Sequence, residues 1–356
     1  MKEKILAALS GGVDSAAAAL LLLEAGHEVS GITMKLYDAE NAVPDSDYIG
    51  VASQDILDAK SICDTLGIEH ITLALGESFR KSVIECFIEE YKNGGTPNPC
   101  VECNRAIKFG KLLDIALDRG FDKLATGHYA RVEQDKNGRY LLKKAIDTNK
   151  DQSYFLWSLT QYELSRVLFP LGNLTKPQIR KIAAERGFSN AHKSDSQDIC
   201  FIPDGDYASF IKKHTDFDFP TGNFVDLDGN ILGKHSGIIN YTVGQRKGLG
   251  IALGKPAFVH SKNVTNNTVT LSDDAELYSK TLTASRINLS AVDSLTEPTK
   301  LYAKIRYRHT PALATVIQTS PTTISLEFDE PQRAIARGQS VVLYDGDTVV
   351  GGGIID

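Results

Sequence analysis

The strongest constraint on this chain is a short apolar run, Ile5-Leu6-Ala7-Ala8-Leu9, joined to the alanine- and leucine-rich stretch Ala16 to Ala25 by Ser10-Gly11-Gly12-Val13-Asp14-Ser15. The run suits a buried parallel strand. The stretch consists of strong helix formers and is stopped by Gly26 at a C′ position. A strand, a small-residue loop and a helix N-terminus make an anion site. Glycines admit close approach of the backbone, several N–H groups converge, and the helix dipole favours negative charge. Ser10 and Ser15 add hydroxyl donors, but no lysine follows the glycines. The loop is therefore not the GxxxxGK(S/T) type that grips β- and γ-phosphates.

Alternation of strands and helices continues after this unit. Segments 28–36, 68–75 and 121–129 read as strands, and 51–66, 79–91 and 111–117 as helices. Repeated βα units predict an α/β fold with a parallel sheet and a ligand at the carboxyl ends of the strands. Ser10 to Ser15, Met34 and Thr126-Gly127-His128-Tyr129 all fall at such ends. Segments 39–50 and 93–105 read as loops, and 151–187 as helical with a break at Pro170 and Leu171-Gly172-Asn173. Beyond Asp204 come Gly-rich turns and short β-like runs, with Asp228-Gly229-Asn230 as a hairpin turn. From Ser279, short strands at 300–307, 312–318, 322–328, 340–344 and 348–355 predict a small β-barrel or sandwich. Three domains are expected: 1–203 catalytic, 204–278 central, and 279–356 a C-terminal β-barrel.

The 356 residues suffice for two or three domains with proper cores, and no apolar run approaches a bilayer span. With a strand beginning within five residues of Met1 there is no room for a signal or transit peptide, so a cytoplasmic setting without membrane is expected. Five cysteines, an odd number, argue for thiol or metal chemistry rather than a disulfide framework. The net charge of −6 lends a nucleic-acid partner no support, so an RNA reading must rest on motifs.

Thr96-Pro97-Asn98-Pro99-Cys100-Val101-Glu102-Cys103-Asn104 carries a C-x-x-C in a segment expected to stay out of regular structure. A redox pair, half of a zinc site and a reactive thiol all remain open. For the last, Arg105 and Lys108 are expected to lower the thiol pKa. Cys200 closes the polar run Ser194-Asp195-Ser196-Gln197-Asp198-Ile199, whereas Cys63 and Cys86 fall inside helices and read as structural.

The hexapeptide SGGVDS resembles the PP-loop of ATP pyrophosphatases, which release pyrophosphate while adenylating a substrate. With it, in order, stand Met34, TPNPCVECN, ATGHYA, Lys150-Asp151-Gln152-Ser153-Tyr154, SDSQDICF, Tyr241-Thr242-Val243-Gly244-Gln245-Arg246-Lys247-Gly248 and Ile305-Arg306-Tyr307-Arg308. This series, from first strand to last domain, is similar to that of tRNA-specific 2-thiouridylases. The resemblance implies a PP-loop α/β catalytic domain that replaces the C2 oxygen of the wobble uridine by sulfur in tRNAs for Lys, Glu and Gln. It also implies that Ala8, Leu9, Ser10, Gly11, Gly12, Val13, Asp14, Ser15, Met34 and Gly127 bind ATP with Mg²⁺, Asp14 positioning the ion or a loop donor.

Cys200 matches the persulfide carrier and Cys103 the nucleophile, with a transient disulfide between them that a reductant reopens. The sulfur donor is a cysteine desulfurase or a sulfur-relay protein. Asn98, Pro99, Cys100, His128, Lys150, Asp151, Gln152, Arg306, Tyr307 and Gln339 are the implied tRNA contacts, and the basic tip of 241–248 meets RNA phosphates. One departure is Cys100, where many members carry Asp. It leaves open a 4Fe–4S cluster on Cys100, Cys103 and Cys200, with one iron available for sulfide. Another PP-loop adenylating enzyme, or a non-catalytic RNA-binding or sulfur-relay protein, are the rival readings.

Overall fold

The computed structural model describes residues 2–36, 54–188 and 199–356. The expected loop at 39–50, the start of the helix at 51–53 and the polar residues 194–198 lie outside the described residues.

β1 (Lys4–Ala8) runs through the middle of a five-stranded parallel sheet, and α1 (Val13–Glu24) returns across it. Ala16 to Ala19 are all buried, so the helix packs closely, and Gly26 takes φ +87° just past its end. There follow β2 (Glu28–Lys35), α2 (Gln54–Leu66) and β3 (His70–Ala74). Next come α3 (Gly76–Phe79), a π-helical turn at Arg80–Ile84, and α4 (Glu85–Lys92). α5 (Pro99–Glu102) runs through a π-helical stretch, Cys103–Leu112, into α6 (Leu113–Asp118). Residues 99–105 are thus helical, not the expected loop. Asn98 caps the helix by accepting from the Cys100 N–H at 3.2 Å, and Pro99 occupies the first turn, where its missing N–H costs nothing.

β4 (Lys123–Ala125) is shorter than the 121–129 expected. The hairpin β5 (Ala130–Gln134) and β6 (Tyr140–Lys144) then leaves the parallel sheet altogether. The stretch 151–187 is only partly helical: a 3₁₀ turn at Ser153–Phe155, α7 (Gln161–Leu164), β7 (Val167–Leu168) and α8 (Lys176–Glu185). β7 pairs with the edge of β4, a long-range pairing that overrides local helix signals. The strand order β3-β2-β1-β4-β7 puts the reversal of strand order between β1 and β4, where α/β sheets bind ligands.

The central part holds α9 (Tyr207–Lys213) and a four-stranded sheet of β8 (Gly222–Val225), β9 (Ile231–His235), β10 (Phe258–Asn263) and β11 (Thr268–Ser272). The expected turn joins β8 to β9: Asp226 accepts from the N–H groups of Asp228 and Asn230, and Gly229 has φ +88°. The last part is a closed antiparallel barrel of β12 (Tyr278–Asn288), β13 (Thr299–Lys304), β14 (Ala312–Ser320), β15 (Thr323–Arg333), β16 (Ser340–Asp345) and β17 (Thr348–Ile355). β12 pairs with both β15 and β17, which closes the ring. β13 ends at Lys304, so Arg306 and Tyr307 lie in the turn beyond it rather than on the expected strand.

The barrel is not a separate body. β6 hydrogen-bonds to β17, and Val342, Tyr344 and Val349 share a core with Leu6 and Ile32 of the parallel sheet. The Trp157 indole N–H donates to Ser340 Oγ at 3.0 Å, and the Tyr154 hydroxyl donates to the Ser340 carbonyl at 2.8 Å. Gly352 faces the Trp157 ring, where a Cβ would come within 2.8 Å. Trp157→Ala is expected to destabilise the protein by about 3–5 kcal/mol, read as a lower urea midpoint.

Candidate active site

After Ala8 the chain is held beside β2 by the Leu9 N–H, which donates to the Ile32 carbonyl at 2.8 Å. Gly11 then takes φ +71°, and a Cβ there would meet the Asp55 carbonyl at 2.7 Å, so only glycine fits. Gly12 is the N-cap of α1 and supplies no capping side chain, which leaves the first-turn amides to a ligand. Ser15 staples the loop: its hydroxyl accepts from the Ser10 N–H at 3.2 Å and donates to the Gly12 carbonyl at 3.0 Å.

Gly127 follows β4 and lies directly on this turn. A Cβ at Gly127 would stand 2.9 Å from the Asp14 carbonyl carbon and 2.9 Å from the Ser15 nitrogen. Close approach to α1 is also why β4 stops early. Met34, half-buried near the end of β2, borders both core clusters beneath the sheet edge. Ala8 to Ser15, Met34 and Gly127 therefore share one rim. Asp14 has partners that no sequence pattern announced. The Lys176 ammonium donates to both its oxygens at 2.8 Å, and the Tyr129 hydroxyl donates to Oδ1 at 2.7 Å.

The cysteines gather beside this rim. Cys100 lies on α5, Cys103 is buried where the π-helical stretch begins, and Cys200 directly precedes the buried Phe201. Burial pushes the Cys103 and Cys100 thiols up, with Lys108 opposing. Cys200 is pushed up to about 12 by burial and then by the nearby Cys103 and Cys100. The three sulfurs thus occupy one electrostatic neighbourhood. The expected lowering of the thiol pKa is overturned: Lys108 pulls the right way but loses to desolvation, and Arg105 is held by Glu102, its Nε at 3.0 Å. No cysteine among the described residues is in a disulfide, and no set of three His, Cys, Asp or Glu among them is gathered to hold a metal ion.

Lys108 links the cysteines to the rim. Its ammonium donates to His128 Nε2 at 3.4 Å, so that nitrogen accepts, and Nδ1–H donates to Thr126 Oγ1 at 2.7 Å. Burial, then Lys108, hold the His128 pKa well below the usual histidine range, so the ring is neutral. Beside Cys103, Asn104 is buried; its amide donates to the Phe155 carbonyl at 2.9 Å, and its Oδ1 is buried without a partner among the described residues.

The remaining expected contacts are largely tied into the framework. Asp151 accepts from the Ala145 N–H at 3.0 Å and the Ser153 hydroxyl at 2.8 Å. Gln152 accepts from the Tyr129 N–H at 3.0 Å, and Lys150 is half-buried two residues before it. Gln339, from the barrel, donates to the Thr96 carbonyl at 2.7 Å, two residues before Asn98. Arg306 donates to the Arg333 carbonyl at 3.0 Å, and the Tyr307 ring centroid is 4.4 Å from that of Phe155. Farther off, Tyr241 is buried and Arg246 lies over the Phe258 ring at 6.0 Å.

Known proteins resemble this chain along its whole length. Residues 3–204 match the family model described as the tRNA methyl transferase HUP domain, 208–273 the accompanying PRC-barrel domain, and 279–355 an aminomethyltransferase beta-barrel domain. The tRNA-specific 2-thiouridylase MnmA of Acetivibrio thermocellus is 50% identical, covering 99% of this chain and 99% of its own. Its counterpart in Clostridioides difficile is 48% identical over 100% of this chain and 99% of its own. A solved 4-thiouridine synthetase–RNA complex with bound ATP is far more distant, at 17% identity and a TM-score of 0.35, over 59% of this chain and 50% of that one. With near-complete coverage at half identity, the chain belongs to the tRNA-specific 2-thiouridylase family.

Proposed function

We propose that this chain converts the C2 carbonyl of the wobble uridine in tRNAs for Lys, Glu and Gln to a thiocarbonyl, in the cytoplasm. The observation that supports it most directly is the continuity of two chemistries. The phosphate loop touches Gly127, whose neighbour His128 is bonded to Lys108, the cation that faces Cys103 and Cys100. A uridine oxygen is a poor leaving group. Its attack on the α-phosphate of ATP breaks the bond to the β-phosphate, and pyrophosphate departs with that electron pair. Ser10 to Ser15 and the first-turn amides of α1 would hold it. Magnesium, when bound, would spread this charge, held mainly by phosphates and water; Asp14 would join it only once the Lys176 ammonium, which contacts both its oxygens at 2.8 Å, turns to the phosphates.

Sulfur arrives on Cys200 as a persulfide, loaded by a cysteine desulfurase or a relay protein. The Cys103 thiolate attacks the inner sulfur, a Cys103–Cys200 disulfide forms, and hydrosulfide leaves. It adds at C2, AMP departs with the former carbonyl oxygen, and a thiol reductant returns two electrons to the disulfide. Because burial raises the Cys103 thiol, its thiolate is scarce at pH 7 and grows with pH. The single-turnover transfer rate is expected to climb by up to about tenfold per unit from pH 7 to 9; a flat profile would remove Cys103 from that step.

The second reading that Cys100 leaves open, a 4Fe–4S cluster on Cys100, Cys103 and Cys200, has no support in the arrangement of these sulfurs, because no set of three such ligands among the described residues is gathered to hold a metal ion. Cys100→Ser separates the two. Retained thiolation by iron-free protein is expected; loss of activity together with iron and acid-labile sulfide from anaerobically purified protein points to the cluster. The whole proposal is tested by mass analysis of nucleosides from tRNA incubated with the protein, ATP and a persulfide source. Absence of 2-thiouridine under those conditions overturns it.

A further inference from the structure

The phosphate loop carries no lysine of its own, yet it is met by one from elsewhere in the chain. Lys176 opens α8, whose Ile179 and Ala183 pack on Ala17, Ala18, Val13 and Ala16 of α1, so the two helices form one block. The Lys176 side chain is only 7% exposed, and its ammonium contacts both oxygens of Asp14, the second residue of α1. Its backbone N–H donates to Asp147 at 2.9 Å, which fixes the base of the side chain.

An ion pair whose lysine is buried and whose aspartate is only half-buried is a poor device for stability, because desolvating the ammonium offsets much of the attraction. Its position suggests another use. Asp14 puts a carboxylate into the helix turn that must receive a polyphosphate, and like charges there repel unless a cation stands by. Lys176 is that cation, delivered to the site already dehydrated, where its field is strongest. We infer that Lys176 supplies the phosphate-facing ammonium that the loop lacks, binding the β- and γ-phosphates of ATP and stabilising the pyrophosphate as the bond to the α-phosphate breaks. The Tyr129 hydroxyl on Asp14 Oδ1 keeps the carboxylate in place when the ammonium turns to the phosphates. This assignment rests on the adenylation reading above.

The test uses the full chain with inorganic pyrophosphate and, separately, AMP, measured by calorimetry without tRNA. Lys176→Met is expected to weaken pyrophosphate about tenfold or more while leaving AMP unchanged, and Lys176→Arg is expected to restore most of the loss. In tRNA-dependent pyrophosphate release, Lys176→Met is expected to lower kcat about 10²-fold. Unchanged pyrophosphate affinity in Lys176→Met overturns the inference. So does an equal loss of pyrophosphate and AMP, which would mark a structural role; if Met disrupts folding, Lys176→Gln is read by the same comparison. Failure of the wild-type chain to make 2-thiouridine while the pyrophosphate difference persists would refute the thiolation reading and leave the phosphate assignment standing.

Discussion

Cys103→Ser and Cys200→Ser are each expected to reduce 2-thiouridine formation by about 10³-fold or more, with ATP and tRNA binding largely intact. Serine is nearly the same size, so the helix that begins at Asn98 and the packing around Phe201 should survive. What is lost is the sulfur: a hydroxyl neither carries a persulfide nor opens one. The separation of steps is the informative part. Each variant should still release pyrophosphate in the presence of tRNA, because the phosphate loop and Gly127 are untouched, while mass analysis finds no thiolated nucleoside. Substantial thiolation in either variant would dismiss that cysteine from the reaction.

Gly127→Ala carries the second large effect and acts at the opposite end of the sequence of steps. The added methyl would press on the backbone of Asp14 and Ser15, 2.9 Å away in each case, and backbone cannot swing aside as a side chain can. Either α1 or the Thr126–Tyr129 segment must shift by a fraction of an ångström, which moves the first-turn amides off the phosphates. Misplacement on that scale costs about 10²-fold in a positioned reaction. Pyrophosphate release should fall by that factor, with thermal unfolding showing that the chain remains folded. Normal release from Gly127→Ala would mean that the loop tolerates displacement and that Gly127 does not frame the nucleotide.

What the chain declared in advance was mostly what short stretches decide by themselves. The run from Ile5 to Leu9, the alanine helix, its stop at Gly26 and the Asp228-Gly229-Asn230 turn rest on neighbours a few residues apart. The barrel strands were legible for the same reason, through alternation. Asn98-Pro99 misled because its residues are breakers in the middle of a helix and start signals at its beginning. The upward thiol shifts escaped because charge can be counted along a sequence and burial cannot; Arg105 in particular is taken up by Glu102 three residues away. β7, the β5–β6 hairpin and the Lys176–Asp14 pair stayed hidden because distant partners make them. Lys176 and Asp14 are 162 residues apart, and Thr175-Lys176-Pro177 signals only a helix start.

The seam between the sheet and the barrel bears on how the enzyme comes into being. A ribosome that has released residues 1–338 has already made the phosphate loop and every cysteine, yet Tyr154, Trp157 and the Thr96 carbonyl still await Ser340, Gly352 and Gln339. The segments carrying Asn98 and Gln152 gain their last supports only as the final strands emerge. A chain cut before Gln339 would therefore keep the phosphate loop and every cysteine while leaving the Tyr154 hydroxyl, the Trp157 indole N–H and the Thr96 carbonyl without these partners.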